Sequence, residues 1–130
     1  MRFLIVDDSY DWVKYHRENV QKSMPDAEID IAMSGFEALN RVLAREENYY
    51  DVIFSDMQME DVDDEDYAGI WLIKRLLASN KCTKNKIVII SAVYNISKVA
   101  KNLNVDYLSK SSLVASPSAF EYKLKEMLKF

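Results

Sequence analysis

One cysteine, one histidine, two glycines and two prolines are all that this 130-residue chain holds of those types, and each scarcity removes a class of explanation. The lone Cys82, between Lys81 and Thr83, has no partner for an internal disulfide and none at metal-ligand spacing, so it reads as structurally neutral. The single histidine, His16, falls on one helical face with Trp12, Val20 and Met24, which points to a partly buried packing residue and not to a phosphorylatable histidine. Neither glycine falls within the acidic run Glu60-Asp61-Val62-Asp63-Asp64-Glu65-Asp66, and Leu72 stands where a calcium loop needs its bidentate acid. That run is therefore expected to be a solvated loop, or an element that shapes the field met by a partner. No apolar stretch approaches the ~20 residues of a membrane span, and Asp7 and Asp8 interrupt the N-terminal hydrophobic run before it reaches signal-peptide length. A soluble, cytoplasmic protein is expected. Repeats, low-complexity segments and linkers are also lacking, and the length suits a single domain over residues 1–130.

The formal net charge of −4 hides an asymmetry. Residues 1–71 carry 6 Lys and Arg against 18 Asp and Glu, whereas residues 72–130 carry 11 against 3. The basic half has no recognition-helix pattern and no aromatic interleaving, so its lysines read as solvated surface and not as a nucleic-acid interface.

Hydrophobic runs alternate with amphipathic stretches, a pattern that predicts an α/β fold: a parallel sheet with helices on both faces. Phe3 to Val6 is the first strand, and a helix follows, capped by Ser9. Ala27 to Ala32 alternates apolar and acidic residues as an edge strand would. Ser34 and Glu37 form a capping box for a second helix, with Ala38, Val42 and Leu43 on its inner face. Val52 to Ser55 is a third strand, and Ile70, Ile73, Leu76 and Leu77 mark a third helix. The run Ile87-Val88-Ile89-Ile90, within Lys86 to Ser91, is a strand buried on both faces. Ile96, Val99, Ala100 and Leu103 form a fourth helix with Asn95 as cap and Asn104 as its left-handed terminus. Tyr107 to Ser109 is the last strand; Ser118 and Glu121 cap a final helix with Phe120, Leu124, Met127 and Leu128 inward. Five strands and five helices result.

In such a sheet, ligands bind beyond the carboxyl ends of the strands. Asp7 and Asp8 close the first strand and Asp56 closes the third, so if those strands are neighbours the three acids meet. Two unpaired charges at ~4 Å cost about 4 kcal/mol at an effective dielectric of 20, so a cation is required among them. Hard oxygen ligands favour Mg2+, which keeps waters that a phosphate can replace. Ser91 and Lys110 fall at strand ends on the same side. A carboxylate nucleophile, acids for a metal, a hydroxyl donor and an ammonium together suit phosphoryl transfer, which needs positioning and charge neutralisation above all.

The stretches Val6-Asp7-Asp8, Ser55-Asp56-Met57, Ser91-Ala92 and Asp106-Tyr107-Leu108-Ser109-Lys110, in this order, resemble the receiver domain of two-component response regulators over the full length. The resemblance implies a flavodoxin-like, doubly wound five-stranded sheet of order 2-1-3-4-5. It implies that Asp56 accepts a phosphoryl group from a phosphohistidine on a sensor histidine kinase or histidine phosphotransfer protein. Asp8 and Asp56 would ligate Mg2+ directly, Asp7 mainly through water, and Gln58 through its backbone carbonyl. Ser91 and Lys110 would contact the phosphoryl oxygens, Ala92 would leave the pocket open, and Tyr107 would be the aromatic switch. The outcome would be altered binding of a downstream protein by a phosphoacceptor that catalyses its own phosphorylation and dephosphorylation, not by a turnover enzyme. The protein is expected to stand alone, since the chain begins at Met1 and carries no output domain after its final helix.

Some features depart from the family. Met59 precedes Glu60 where Met-Pro is usual, and Gly69 lies thirteen residues after Asp56, later than the family places its glycine, so the acidic run reads as an insertion. Lys110 precedes Ser111 in place of the usual Lys-Pro, and the segment from Ser91 to Lys110 is short, which trims the fourth helix. Two rival readings follow. A haloacid-dehalogenase-type phosphatase expects a second acid where Gln58 stands; a receiver-like interaction module working without phosphorylation is the other alternative, against which Asp8, Asp56 and Lys110 argue.

Overall fold

The computed structural model describes residues 1–58, 68–116 and 118–128; the acidic run 60–66 lies outside them. The elements, in order, are β1 (Arg2–Val6), α1 (Tyr10–Ser23), β2 (Glu28–Ala32), α2 (Gly35–Leu43), β3 (Val52–Ser55), α3 (Ala68–Ala78), β4 (Ile87–Ser91), α4 (Ile96–Leu103), β5 (Asp106–Ser109), α5 (Lys110–Ala115) and α6 (Ser118–Leu128). The five strands form one parallel sheet in the order β2-β1-β3-β4-β5. Every residue of β3 and β4 is buried, as their unbroken apolar character requires of strands covered on both faces.

The two faces hold separate cores. Leu4, Val6, Ile53, Ile87 and Ile89 pack with Ala38 and Val42 of α2, Leu72, Ile73 and Leu76 of α3, and Ile96 and Ala100 of α4. Phe3, Ile5, Phe54, Val88 and Ile90 face the other way, onto Val13 and Val20 of α1, Leu113 of α5, and Phe120 and Leu124 of α6. Alternate residues of one strand thus feed opposite cores, the period-two geometry of a pleated sheet.

Local chemistry sets the boundaries. The Ser9 hydroxyl accepts from the Trp12 amide at 3.4 Å and that of Ser34 from the Glu37 amide at 3.0 Å, so both caps form. Asn104 ends α4 with φ 60°, the left-handed conformation anticipated for it. β2 lies at the sheet edge, yet its Asp30 is half-buried because the Tyr50 hydroxyl donates to it at 2.6 Å.

Four expectations require correction. Leu43 does not face inward: it is 47% exposed, because α2 ends there and the buried stripe is Gly35, Ala38 and Val42. Asn95 precedes α4 but makes no side-chain cap bond. α6 begins at Ser118 itself, so that serine lies inside the helix it was expected to cap, and the position before it is outside the described residues. Finally, α5 adds a helix between β5 and α6, starting at Lys110. With serine and not proline at 111, the chain turns from strand to helix without interruption. From these burials, Val42→Ala should lower stability by about 2 kcal/mol, while Leu43→Gln should stay within about 0.5 kcal/mol. Urea denaturation of the two variants measures both.

Candidate functional site

Backbone hydrogen bonding carries the acids past the ends of their strands. The Asp7 amide donates to the Ala32 carbonyl at 3.2 Å and the Asp56 amide to the Val6 carbonyl at 2.8 Å. Both ladders therefore run one residue beyond β1 and β3. The result is a cluster: Asp7, Asp8 and Asp56 each offer a carboxylate oxygen, and these atoms lie within 4.8 Å of one another. Asp7 and Asp56 are buried and Asp8 is exposed, so the cluster opens to solvent on the Asp8 side.

A buried cation closes it from within. Lys110 is only 7% exposed, and its Nζ donates to Asp7 Oδ2 at 3.0 Å and stands 3.5 Å from Asp56 Oδ2. The same Nζ lies 4.7 Å from the centroid of the Trp12 ring, within cation–π range. Asp7 Oδ1 accepts from the Ser9 amide at 2.9 Å, and Asp56 Oδ1 from the Met57 amide at 2.8 Å.

One ammonium does not neutralise three carboxylates. Burial, more than any other cause, pushes the Asp56 carboxyl up to about 6, and the Asp7 charge adds to it; Lys110 and the amides of Met57 and Gln58 oppose the rise. Asp7 is also raised, by burial first, against the Ser9 hydrogen bond and the Lys110 charge. The surplus of negative charge, gathered on hard oxygens at a solvent opening, fits a divalent cation such as Mg2+.

Gly69 fixes the loop after Asp56. Its amide donates to the Met57 carbonyl at 2.9 Å, and a Cβ on it would come within 2.2 Å of the Asp56 carbonyl oxygen. Only glycine permits this approach, so the late glycine of the sequence still presses the start of α3 onto the acid loop.

The remaining candidates stand nearby but outside this cluster. Ser91, 1% exposed, ends β4 opposite Ser109; its hydroxyl oxygen accepts from the Val93 amide at 3.2 Å, which leaves its proton available to donate. Ala92 is exposed beside it. Tyr107, paired with Ile89, is 39% exposed. Gln58 is exposed two residues beyond Asp56. Two contacts escaped the sequence reading: the Trp12 face over Lys110, and the full burial of His16, 2% exposed, beside Asp7. The signal for Trp12 was its position one helical turn after Asp8.

The family described as "Response regulator receiver domain" matches residues 3–115. No curated protein shows significant similarity to the chain. Among solved structures, the chemotaxis response regulator CheY4 of Vibrio cholerae is 21% identical with TM-score 0.75, covering 97% of each chain. The response regulator TrrA of Thermotoga maritima, solved in complex with Mg2+ and BeF, is 23% identical with TM-score 0.74, again over 97% of each. The isolated receiver domain of RcsB from Salmonella enterica is 18% identical, covers 99% of this chain and 88% of its own, and has TM-score 0.75. At these identities the solved structures establish the fold.

The charge state of Asp56 gives a measurable consequence. A carboxyl raised in the folded state above its unfolded value favours folding below the unfolded value, near 4, and loses that contribution as pH rises through about 6. With chelator present, Asp56→Asn should therefore stabilise the protein above pH 7 by on the order of 2–3 kcal/mol. The gain should shrink on acidification from about pH 6 toward pH 4. Thermal melts of parent and variant across this range check it.

Proposed function

Because the chain belongs to the response-regulator receiver family, we propose that Asp56 accepts a phosphoryl group from a phosphohistidine on a sensor histidine kinase or phosphotransfer protein, and that phosphorylation changes what the domain binds. The observation that supports this most is the buried Lys110 ammonium against Asp7 and Asp56, at the inner side of a three-carboxylate cluster that opens at Asp8. Asp7, Asp8 and Asp56, with the backbone carbonyl of Gln58, are the groups that would hold Mg2+. When bound, that ion supplies the positive charge needed to bring phosphoryl oxygens up to a carboxylate.

The chain's own groups supply the rest. A carboxylate oxygen of Asp56 forms the new bond to phosphorus as the phosphorus–nitrogen bond of the donor breaks, and the leaving imidazole nitrogen takes up a proton. The nucleophile is held by the Met57 amide on one oxygen, which fixes the direction of attack. Lys110, already 3.5 Å from Asp56, is placed to pair with the incoming oxygens. Water then attacks the phosphorus, the bond from the Asp56 oxygen to phosphorus breaks, and free phosphate and the carboxylate are restored; the domain serves as a phosphoacceptor that is reset, and not as a turnover enzyme.

Signalling would run through Ser91 and Tyr107. A phosphoryl group adds about −1.5 to −2 charge and three strong acceptors, drawing the Ser91 hydroxyl toward it. Tyr107, half out of the sheet on the neighbouring strand, then turns inward and alters the surface of α4, β5 and α6. The downstream partner reads that surface.

Two experiments test this. Incubation with Mg2+ and a small acyl or amido phosphate should label Asp56 by mass spectrometry; Asp56→Asn or excess chelator should abolish labelling, and Lys110→Met should slow it by roughly 10²-fold. Undiminished labelling of Asp56→Asn overturns the assignment. Ser91→Ala should weaken the dependence of partner affinity on phosphorylation more than it weakens labelling; equal coupling in parent and variant overturns the switch.

A further inference from the structure

Among the described residues, His16 alone leaves both polar atoms of its side chain buried without a hydrogen-bond partner. The ring is clamped between Trp12, at 5.5 Å and 27°, and Phe120, at 5.9 Å and 19°. A polar group buried unpaired costs free energy that an apolar ring of the same shape would not, so packing alone would favour phenylalanine here. Burial first, and the neighbouring Lys110 charge second, push the imidazole down to about 3, so it is neutral and carries one N–H.

A carboxylate lies close to that ring. Nε2 stands 4.0 Å from Asp7 Oδ2, the same oxygen that accepts from Lys110 Nζ at 3.0 Å. His16 is thus a donor one short step outside hydrogen-bond range of an oxygen already taken. If the ammonium moves toward an anion at Asp56, Asp7, 1% exposed, loses the donor on its Oδ2 and keeps the Ser9 amide on its Oδ1. Such a loss would oppose the movement.

We propose that His16 is a positioning residue for Lys110: its Nε2–H is a reserve donor that closes onto Asp7 Oδ2 when the ammonium leaves Asp7 for an anion bound at Asp56. The exchange replaces one hydrogen bond by another, so Lys110 is free to follow the anion. Trp12 lies against both groups, over Nζ at 4.7 Å and stacked on His16, and gives their movements a common wall. The identity of the anion as a phosphoryl group rests on the phosphoacceptor reading; the exchange of donors rests on these distances.

The test has two arms. Without any phosphoryl donor and with chelator at about pH 8, parent, His16→Phe, Lys110→Met and the double variant are compared by thermal melting. His16→Phe should leave Tm unchanged or raised in the parent, where the N–H has no partner. In the Lys110→Met background, where that N–H has taken up Asp7, it should lower Tm by roughly 3–5 °C. The same effect in both backgrounds overturns the exchange. NMR of the imidazole should agree, with the Nε2 proton moving downfield in Lys110→Met. In the second arm, His16→Phe should slow Mg2+-dependent labelling of Asp56 by about tenfold at unchanged half-saturation by the donor, with His16→Gln recovering most of the rate. A labelled parent with an unslowed His16→Phe overturns the positioning role. An unlabelled parent overturns the phosphoacceptor reading instead, while the melting cycle still decides the donor exchange.

Discussion

The fold depends, at its functional end, on keeping one ammonium out of water. Lys110 reaches the cluster from the first turn of α5, whose only other buried residue, Leu113, belongs to the core beneath. Removing a charge from solvent is costly, and only close partners offset it. Asp7 and Asp56 supply them from the ends of two neighbouring strands, which ties the ends of β1 and β3 to the start of α5. The arrangement is also incomplete in charge, since three carboxylates cluster and one ammonium lies against two of them. A site that is short of positive charge before it binds anything gains stability from whatever cation or anion–cation pair completes it.

Aromatic rings connect that site to the far helix. Trp12 and His16 of α1 stack in series, His16 lies on Phe120 of α6, and Phe120 lies on Phe54 of β3 at 5.0 Å. The Tyr15 hydroxyl donates to the Leu113 carbonyl at 3.2 Å, tying α1 to α5 as well. Close-packed rings transmit displacement because they have little room to absorb it. The face of the sheet that carries α1, α5 and α6 is therefore mechanically continuous with the acid cluster.

How much of this was legible depends on whether a feature is written in sequence order or in distance. The apolar runs gave the strands, and their polar last neighbours gave Asp7, Asp8, Asp56, Ser91 and Lys110, because strand ends on one side of a parallel sheet are a topological fact. Asn104 was legible for a local reason, its tolerance of the left-handed conformation. Leu43 was not, since helical periodicity names a face but not where the helix stops being covered. Nor was α5, because Ser111 removed the proline that would have marked a turn. Periodicity put His16 and Trp12 on one face; that one would lie over the ammonium and the other beside Asp7 required knowing where residue 110 returns.

The contact between Gly69 and the loop after Asp56 has one more consequence. Residues 57 and 69 are held together by a backbone hydrogen bond, so the chain between them leaves and rejoins the domain at almost the same point. Closing such a loop depends only logarithmically on its length, and doubling it costs about 0.6 kcal/mol. The anchor points at Met57 and Gly69, which lie beside Asp56, are in that sense set by their own hydrogen bond and not by the number of residues between them. The position of the start of α3 over Asp56 is thereby a local property of two residues.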